Sequence, residues 1–346
     1  MLSLLSSMQF KPATWLLHIA LTTILVGACV THFFGKQGEI HLRADKAESL
    51  ALSHSSISLF LWDFQVVEDP QTHAPADYIT ELRLLDRGTK NKEQGLKVDE
   101  GTLRMNKPLK YHNIRFCQSN FDSDELGVTL CYNYDPWGIG ITYPGYTLLL
   151  IAMIAFFFQR RTYFRAMLRQ QHKWLMVGLG VVAIILAFVM TKVVTPKPPL
   201  QPVLQTPLLG IHVSVIMLAY TLFAIIAING IVGLCSKKLS PITFRLSSVL
   251  LYPALFSLTA GIFIGAVWAN MSWGRYWGWD PKETWALITM LVYAVLIHFP
   301  WIRHKLQITN QKSQIYYHIS SIIAFFFVLF TYFGVSYLLG GLHSYA

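Results

Sequence analysis

Long apolar segments dominate this chain of 346 residues and decide what it can fold into. Hydrophobic residues make up 53% of the chain and charged residues only 13%, so these segments require a bilayer as their solvent. Each is about 20 residues long, enough for a helix to cross roughly 30 Å of hydrocarbon. We predict an all-α polytopic membrane protein with about seven transmembrane helices. The segments lie near residues 14–34, 141–158, 174–194, 211–234, 247–269, 284–302 and 317–340.

Basic residues cluster in short stretches that follow the second, fourth and sixth apolar segments. All of these stretches fall on one side of the membrane if the N-terminus is cytoplasmic, as the positive-inside rule requires. We therefore interpret the net charge of +10 as an orientation signal and not as a nucleic-acid-binding surface. This orientation places the C-terminus and residues 35–140, 193–210 and 270–283 on the outer face of a bacterial cytoplasmic membrane. The basic residues are Arg160, Arg161, Arg165, Arg169, Lys173, Lys237, Lys238, Arg245, Arg303, Lys305 and Lys312.

The polar stretch between the first two apolar segments differs in character from the rest of the chain. Residues 77–86 and 127–132 alternate between apolar and polar side chains, which is typical of half-buried strands. A small antiparallel β domain inserted on the outer face is the expected result. The predicted organisation is a transmembrane helix at 1–35, the outer domain at 36–140, a second helix at 141–160 and a membrane domain at 161–346.

The four cysteines exclude one class of protein and leave two questions open. The chain has no Cys-X-X-Cys-His haem-attachment motif, so it is not itself a c-type cytochrome. Cys117 and Cys131 both lie in the predicted outer domain, where they could form a disulfide or remain two buried thiols. Residues 26–29 resemble a lipoprotein signal box that would be cleaved before Cys29. The apolar run continues to Phe34, however, which favours a transmembrane helix.

Tryptophan is concentrated in one predicted outer loop, residues 268–285. An interfacial aromatic belt is one explanation, but a belt would be shared among all the helix ends. Here the tryptophans alternate with glycines and with the charged residues Asp280, Lys282 and Glu283. Such a surface offers flat apolar faces to a large planar ligand and polar groups to its edge. Five of the 10 tryptophans of the chain lie in this loop: Trp268, Trp273, Trp277, Trp279 and Trp285.

Residues 273–285 read Trp-Gly-X-X-Trp-Gly-Trp-Asp-Pro-Lys-Glu-Thr-Trp and resemble the WWD motif of CcsA-type cytochrome c biogenesis proteins. His212 and His343 match the two outer histidines of that family. The front portion is similar to the ResB or CcsB type of partner protein. The chain therefore resembles a compact CcsB–CcsA fusion. The segments that carry the second resemblance are 103–111, 116–119 and 135–137.

This resemblance implies that the protein exports haem b and presents it for thioether attachment to the Cys-X-X-Cys-His segment of apocytochrome c. The protein would then be a holocytochrome c synthase, or haem lyase, or an essential subunit of one. A thiol-reducing partner and a further CcsB-like subunit are implied as well. Two alternatives stay open: a haem exporter or chaperone that does not ligate haem, and a non-catalytic membrane scaffold.

The expected site combines the loop with four histidines. Two histidines from different helices can hold haem iron at both axial positions. We expect His212 and His343 to do so on the outer side, and His18 and His298, ionisable residues at cytoplasmic membrane depth, to do so on the inner side. Residues 292–298 also resemble the family segment that bears a transmembrane haem histidine. The loop would hold the haem by positioning through Trp273, Trp277, Trp279, Trp285, Asp280 and Glu283.

The remaining histidines are less strongly indicated as haem ligands. His318 begins the last apolar segment at the depth of His298 and is a rival inner ligand. His32 lies near the outer end of the first segment and is either a helix-end residue or a contact to the outer haem. The others are assigned to the outer domain or to the inner basic stretches: His41, His54, His73, His112, His172 and His304.

Overall fold

The structure is a computed structural model that combines membrane-length helices with one β domain. It describes residues 12–44, 47–52, 55–86, 97–159, 162–169, 202–307 and 310–339, together with single positions between 178 and 189. The helices are α1 (Pro12–Phe34), α2 (Gly138–Phe158), α3 (Tyr163–Leu168), α4 (Pro207–Cys235), α5 (Ser240–Ser272), α6 (Pro281–Ile297), α7 (Phe299–Lys305), α8 (Asn310–Leu329) and α9 (Val335–Leu338). A π-helical turn, Phe330–Gly334, joins α8 to α9.

Five helical spans in the described part of the chain are long and apolar enough to cross a membrane. They confirm a mainly helical membrane protein, while the predicted count of seven, the topology and the outer placement of the β domain stay predictions. The segment predicted at 174–194 lies mostly outside the described residues. The spans are Pro12–Phe34, Gly138–Ala166, Pro207–Cys235, Ser240–Ser272 and Gln311–Leu338.

The continuous helix predicted at 284–302 is interrupted. α6 has 17 residues and ends at Ile297, with His298 as its C-cap, and the seven-residue α7 follows at once. Pro300 explains the break, because proline has no N–H to donate within a helix and is accommodated in the first turn of a new one. His298 therefore lies at a helix junction and not within a helix.

The predicted antiparallel β domain is confirmed, and it consists of two four-stranded sheets. One sheet has the order β1 (Lys36–Arg43), β8 (Gly127–Tyr134), β7 (Ile114–Phe121), β6 (Leu109–Tyr111). The other has the order β2 (Ala47–Leu52), β3 (Ser55–Glu68), β4 (Pro75–Asp86), β5 (Lys97–Arg104). A single apolar core lies between them: Leu42, Ile57, Leu59, Leu61, Leu82, Leu84, Leu103, Tyr111, Ile114, Phe116, Val128 and Leu130.

The β domain is inserted between α1 and α2, and its two ends meet. β1 follows α1 directly, β8 precedes α2, and the two strands are antiparallel neighbours with Lys36 opposite Tyr134. The buried carboxylate of Asp135 fixes this junction: it accepts a hydrogen bond from the hydroxyl of Thr31 in α1 and one from the amide of Gly138 in α2, both 2.7 Å long.

Helices α4, α5, α6 and α8 surround the main apolar cluster of the membrane domain. Phe223 of α4 and Tyr293 of α6 stack with their ring centroids 3.6 Å apart. Large side chains of α5 fill the space between these helices, including Leu250, Leu251 and Leu258. This packing holds the N-terminus of α6 at one end of the cluster and His298 at the other.

Candidate functional site

The tryptophan-rich loop, here defined as residues 273–280, connects α5 to α6 and is held by a capping box. The Asp280 side chain accepts a hydrogen bond from the amide of Lys282, and the Glu283 side chain accepts one from the amide of Asp280. Glu283 also accepts a 2.8 Å bond from the amide of Gly278. The two carboxylates thus satisfy amides that a helix N-terminus otherwise leaves unpaired.

This role for Asp280 and Glu283 was missed in the sequence, although the signal is present. Residues 280–283 read Asp-Pro-Lys-Glu, with a capping residue, proline at the first helical position and glutamate at the third. The sequence analysis predicts only that the two carboxylates help the loop to position haem. The structure shows that they shape the loop and set the start of α6.

The loop predicted at 268–285 is shorter in the structure, because Trp268 lies in α5 and Trp285 lies in α6. The tryptophans in and next to the loop differ in exposure. Trp277 packs against the main apolar cluster, and Trp285 packs against Phe330 with ring centroids 4.3 Å apart. Trp279 is 71% exposed and has a positive φ of 56°, a conformation that is strained for a side chain with a Cβ. The ring of Trp279 stands perpendicular to that of Trp277, at 6.0 Å. Trp279 is therefore the tryptophan that the loop presents, while its neighbours anchor it.

His212 packs against α5 in a slot that Gly265 leaves open. Its Nδ1 donates a 2.7 Å hydrogen bond to the carbonyl oxygen of Gly261. One turn further along, a Cβ at Gly265 would lie 2.6 Å from Cε1 of His212, so only glycine leaves room for the ring. Because a carbonyl can only accept, Nδ1 carries the proton and Nε2 carries the lone pair that a metal would use. His343 lies outside the described residues, and its pairing with His212 stays a prediction.

His18 of α1 and His298 at the end of α6 are brought together from distant parts of the chain. Their ring centroids are 6.4 Å apart and their planes are inclined by 77°. Each ring donates from Nδ1 to the carbonyl four residues earlier, Thr14 and Ala294 respectively, at 2.7 Å. A neutral imidazole with this hydrogen bond carries its lone pair on Nε2. Both rings lie on the surface of the helix bundle.

This pair has the dimensions of a two-histidine metal site. An imidazole nitrogen lies about 2 Å from a metal ion that it binds, so the centroids of two rings on opposite sides of one ion are about 6 Å apart. A hydrogen bond from the second ring nitrogen to a carbonyl is also the usual way in which proteins orient a ligating histidine and raise its basicity. His18 and His298 match this centroid separation, and each makes such a hydrogen bond.

His318, the rival inner ligand, is placed differently. It is fully buried between α5 and α8, and its Nε2 lies 3.2 Å from the hydroxyl and 3.3 Å from the carbonyl of Ser240. A Cβ at Gly233 would lie 2.4 Å from the same nitrogen. His318 therefore links neighbouring helices, and this close packing leaves no room for a large planar ligand.

The other histidines lie away from these positions. Nε2 of His41 lies 3.0 Å from a carboxylate oxygen of Asp122, and His73 lies 3.6 Å from Glu68, both on the β domain. His32 is exposed next to Phe33, and His112 is exposed in the turn before β7. His304 is exposed in α7. His54 and His172 lie outside the described residues.

The β domain contacts the tryptophan-rich loop directly. The side-chain amide of Asn133 in β8 donates a hydrogen bond to the carbonyl of Gly274, and the hydroxyl of Ser272 donates to the side-chain oxygen of Asn106. Gly274 has a φ of 72°, and a Cβ there would lie 3.0 Å from Sγ of Cys117. The sequence signals none of these contacts, because each depends on how two distant elements dock.

The protein is a helical membrane protein with an inserted β domain, a tryptophan-rich loop and histidines at both ends of its helix bundle. These features define its structural class, and comparison with known sequences identifies its family. The profile of the family described as cytochrome c assembly protein matches residues 142–343, and that of the ResB-like family matches residues 13–135. The chain belongs to the cytochrome c assembly protein family. With its ResB-like front portion, it is consistent with a fusion of CcsB and CcsA.

Individual relatives agree with this assignment. Protein NrfI of Wolinella succinogenes is 38% identical over 159 residues, which are 42% of this chain and 17% of NrfI. The cytochrome c biogenesis protein CcsA of Chlamydomonas reinhardtii is 36% identical over 169 residues, 46% of each chain. CcsA of Pelargonium hortorum is 50% identical over 88 residues, 25% of this chain and 26% of that protein. The matched regions thus span less than half of each of these relatives.

Proposed function

We propose that this protein binds haem b, carries it across the membrane and presents it at the tryptophan-rich loop for thioether attachment to apocytochrome c. The observation that carries the proposal is the pairing of His18 with His298, whose ring centroids are 6.4 Å apart. Because each Nδ1 donates a hydrogen bond to a carbonyl, Nε2 is the atom of each neutral ring that can bind a metal. Membership of the cytochrome c assembly family supports haem and apocytochrome c as the substrates.

In this proposal haem has an inner and an outer position. His18 and His298 take the iron at the inner position, and His212 and His343 take it at the outer position. The hydrogen bond from Nδ1 of His212 to Gly261 keeps Nε2 as the ligand atom throughout. In this proposal the membrane is a bacterial cytoplasmic membrane and the outer position lies on its outer face, the orientation that the basic residues favour.

The loop contributes by positioning. Trp279 offers an exposed ring to one face of the porphyrin, and the capping box of Asp280 and Glu283 keeps the loop in a fixed shape. Thioether formation joins a haem vinyl group to a cysteine thiol, and holding these two groups together replaces a large entropic cost of bringing them into contact. No side chain of the loop has to act as a general acid or base.

The test of the haem positions is a visible absorption spectrum with total haem quantified on protein purified in detergent. His18→Ala, His298→Ala, His212→Ala and His343→Ala are compared with wild type. His304→Ala is the matched control, because His304 is an exposed histidine near the same end of the bundle as His298. We expect six-coordinate haem in wild type and in the control, and depleted or altered haem in each of the four variants. Spectra that are the same in all six proteins would contradict the assignment.

Ligation is tested separately from binding. The protein is co-expressed with a reporter apocytochrome in a host that lacks its own assembly system. Covalent haem on the reporter is the expected result. A haem-loaded protein that leaves the reporter without covalent haem is instead an exporter or chaperone, and a colourless protein that cannot take up added haem is a scaffold.

A further inference from the structure

Cys117 of β7 and Cys131 of β8 are directly opposite each other in the antiparallel register of one sheet. Residues in such positions point to the same face, with Cβ atoms about 4.5–5.5 Å apart. A disulfide joins residues whose Cα atoms are about 4.4–6.8 Å apart, so the two sulfurs can bond with little movement of the strands. Both are free thiols in this structure.

The pair lies on the face of the sheet that contacts the tryptophan-rich loop. Phe116 and Leu130, the residues next to the two cysteines, belong to the core between the sheets, so the cysteines point to the opposite face. There Cys117 packs against Gly274, and Asn133 donates its hydrogen bond to the carbonyl of the same glycine. The dithiol is thus adjacent to the place where a client would meet haem.

The two thiols are not equivalent. Cys117 is only 3% exposed, whereas Cys131 is half-buried and donates to a carboxylate oxygen of Glu39 at 3.7 Å. A dithiol with one accessible and one sheltered sulfur suits thiol–disulfide exchange, in which the first sulfur attacks and the second resolves the mixed disulfide. Cys131 has the position of the attacking residue and Cys117 that of the resolving residue.

We propose that Cys131 and Cys117 form a thiol–disulfide exchange pair that reduces the disulfide of an oxidised Cys-X-X-Cys client segment beside the tryptophan-rich loop. The inference rests on the proposed function, because the client is the apocytochrome segment that the loop receives. Thioether formation needs both client sulfurs as thiols, and a disulfide between them blocks it. The Cys117–Cys131 pair returns both client sulfurs to the thiol form next to the loop, where the thioether bonds are made.

The exchange is balanced without a further reactant. Cys131 loses its proton and attacks one client sulfur, the client S–S bond breaks, and the departing client sulfur takes up a proton. Cys117 then loses its proton and attacks Cys131, which forms the Cys117–Cys131 bond and releases the second client sulfur as a thiol. Two electrons and two protons pass from the protein to the client. A dithiol reductant on the same face returns the pair to its thiol form.

The electrostatic surroundings of the two thiols differ in detail. Burial is the largest effect on both groups: it raises the pKa of Cys117 to about 12 and also raises the pKa of Cys131. Near neutral pH both groups are therefore protonated thiols, and only the small thiolate fraction can attack a disulfide. A hydrogen bond with Ser119 and the charge of Arg275 partly oppose this rise at Cys131, where Glu39 adds to it, and Arg115 partly opposes it at Cys117. The greater exposure of Cys131 therefore assigns the attack to that sulfur.

The test uses full-length protein in detergent, without haem, and a synthetic peptide whose Cys-X-X-Cys-His segment carries an internal disulfide. We expect wild type to reduce about one peptide per chain and to acquire a Cys117–Cys131 disulfide, both measured by mass spectrometry. Cys117→Ser should retain the peptide as a mixed disulfide on Cys131, and Cys131→Ser should reduce none. Cys29→Ser and Cys235→Ser are the matched controls and should behave as wild type.

Three results would overturn the proposal. The peptide stays oxidised with wild type while dithiothreitol reduces it in parallel; or the mixed disulfide forms on Cys29 or Cys235; or Cys117 and Cys131 are isolated as a disulfide that dithiothreitol does not open. The first and third results need only wild-type protein, so they do not depend on the folding of a variant. Because haem is absent from the assay, failure of the histidine assignments leaves this result unaffected.

Discussion

The side chain of Asn133 and the backbone of Gly274 are joined by a hydrogen bond that connects the β domain to the tryptophan-rich loop. This bond crosses between the ResB-like and the cytochrome c assembly portions of the chain. The loop that presents Trp279 is therefore supported from two sides, by the capping box of α6 and by the sheet.

Removing this bond should loosen the loop. Asn133→Ala leaves the carbonyl of Gly274 without its donor, at an expected cost of about 1 kcal/mol of stability. We expect faster hydrogen exchange at residues 273–280, with the β domain still folded. Asn113→Ala, in the exposed turn before β7, is the matched control. Equal exchange in both variants would show that the bond does not restrain the loop.

The glycine slot for His212 can be tested without changing the histidine. Gly265→Ala places a methyl group where the ring of His212 lies and should displace it, which reduces bound haem at the outer position. Gly210→Ala adds the same methyl group in open space two residues before His212. That control should keep its haem and gain up to about 1 kcal/mol of helix stability. Equal haem content in the two variants would contradict the slot.

Substitutions of Glu283 can distinguish its contribution to helix capping from the contribution of its negative charge. Gln can replace Glu in a capping box because its side-chain oxygen also accepts from the N-cap amide. We expect Glu283→Gln to keep most of the stability and haem content of wild type, and Glu283→Ala to lose about 1 kcal/mol. The measurement is thermal unfolding in detergent together with the haem spectrum. If Gln behaves like Ala, the negative charge itself is needed.

The raised pKa values of the two thiols predict their reactivity. Alkylating reagents react with thiolates, so at about pH 8 we expect slow labelling of Cys131 and still slower labelling of Cys117. Labelling of Cys117 should increase as the pH rises toward its pKa of about 12. Mass spectrometry of the alkylated peptides measures both rates. Faster labelling of Cys117 than of Cys131 would reverse their assigned roles.

The same shift affects stability with a defined sign. The folded pKa of Cys117 lies above the ordinary value of 9.0, so folding favours the protonated thiol. This contribution is fully present below pH 9.0 and is lost as the pH rises toward about 12. Cys117→Ala should therefore make the stability of the β domain less dependent on pH in that range.

His318 and His298 should respond in opposite ways. His318→Ala removes a buried group that contacts Ser240 and should lower the unfolding temperature, while haem per folded protein stays unchanged. His298→Ala removes a surface side chain and should leave stability nearly unchanged while it depletes haem. Thermal unfolding and haem quantification on the same samples check both. Loss of haem in His318→Ala at full stability would make it a ligand.

Much of the architecture follows from local patterns in the sequence. The length of the apolar segments indicates membrane helices, and the alternation at residues 77–86 indicates strands, because each pattern reflects the surroundings of one element. His18 and His298 were selected by their shared depth in the membrane, and the structure places them together. The break before Pro300 was missed because the apolar run continues through it.

The arrangement around the loop could not be predicted in the same way. The contact of Asn133 with Gly274 and the slot at Gly265 depend on how separate elements dock, and no local pattern encodes that docking. Asp280 and Glu283 illustrate a different failure. Their capping pattern is visible in the sequence, but charged residues beside tryptophans equally suit the edge of a ligand, so the sequence alone does not decide between the two roles.

The insertion of the β domain between α1 and α2 has a consequence for how such a chain can change. Because β1 and β8 are neighbours, the polypeptide leaves the helix pair and returns to it at nearly the same point, as tolerated insertions do. The whole β domain could be exchanged or shortened in a single genetic event without rerouting a membrane segment. The helix pair α1 and α2 is thus a fixed attachment point for the β domain, and Asp135 links the two helices where the domain is inserted.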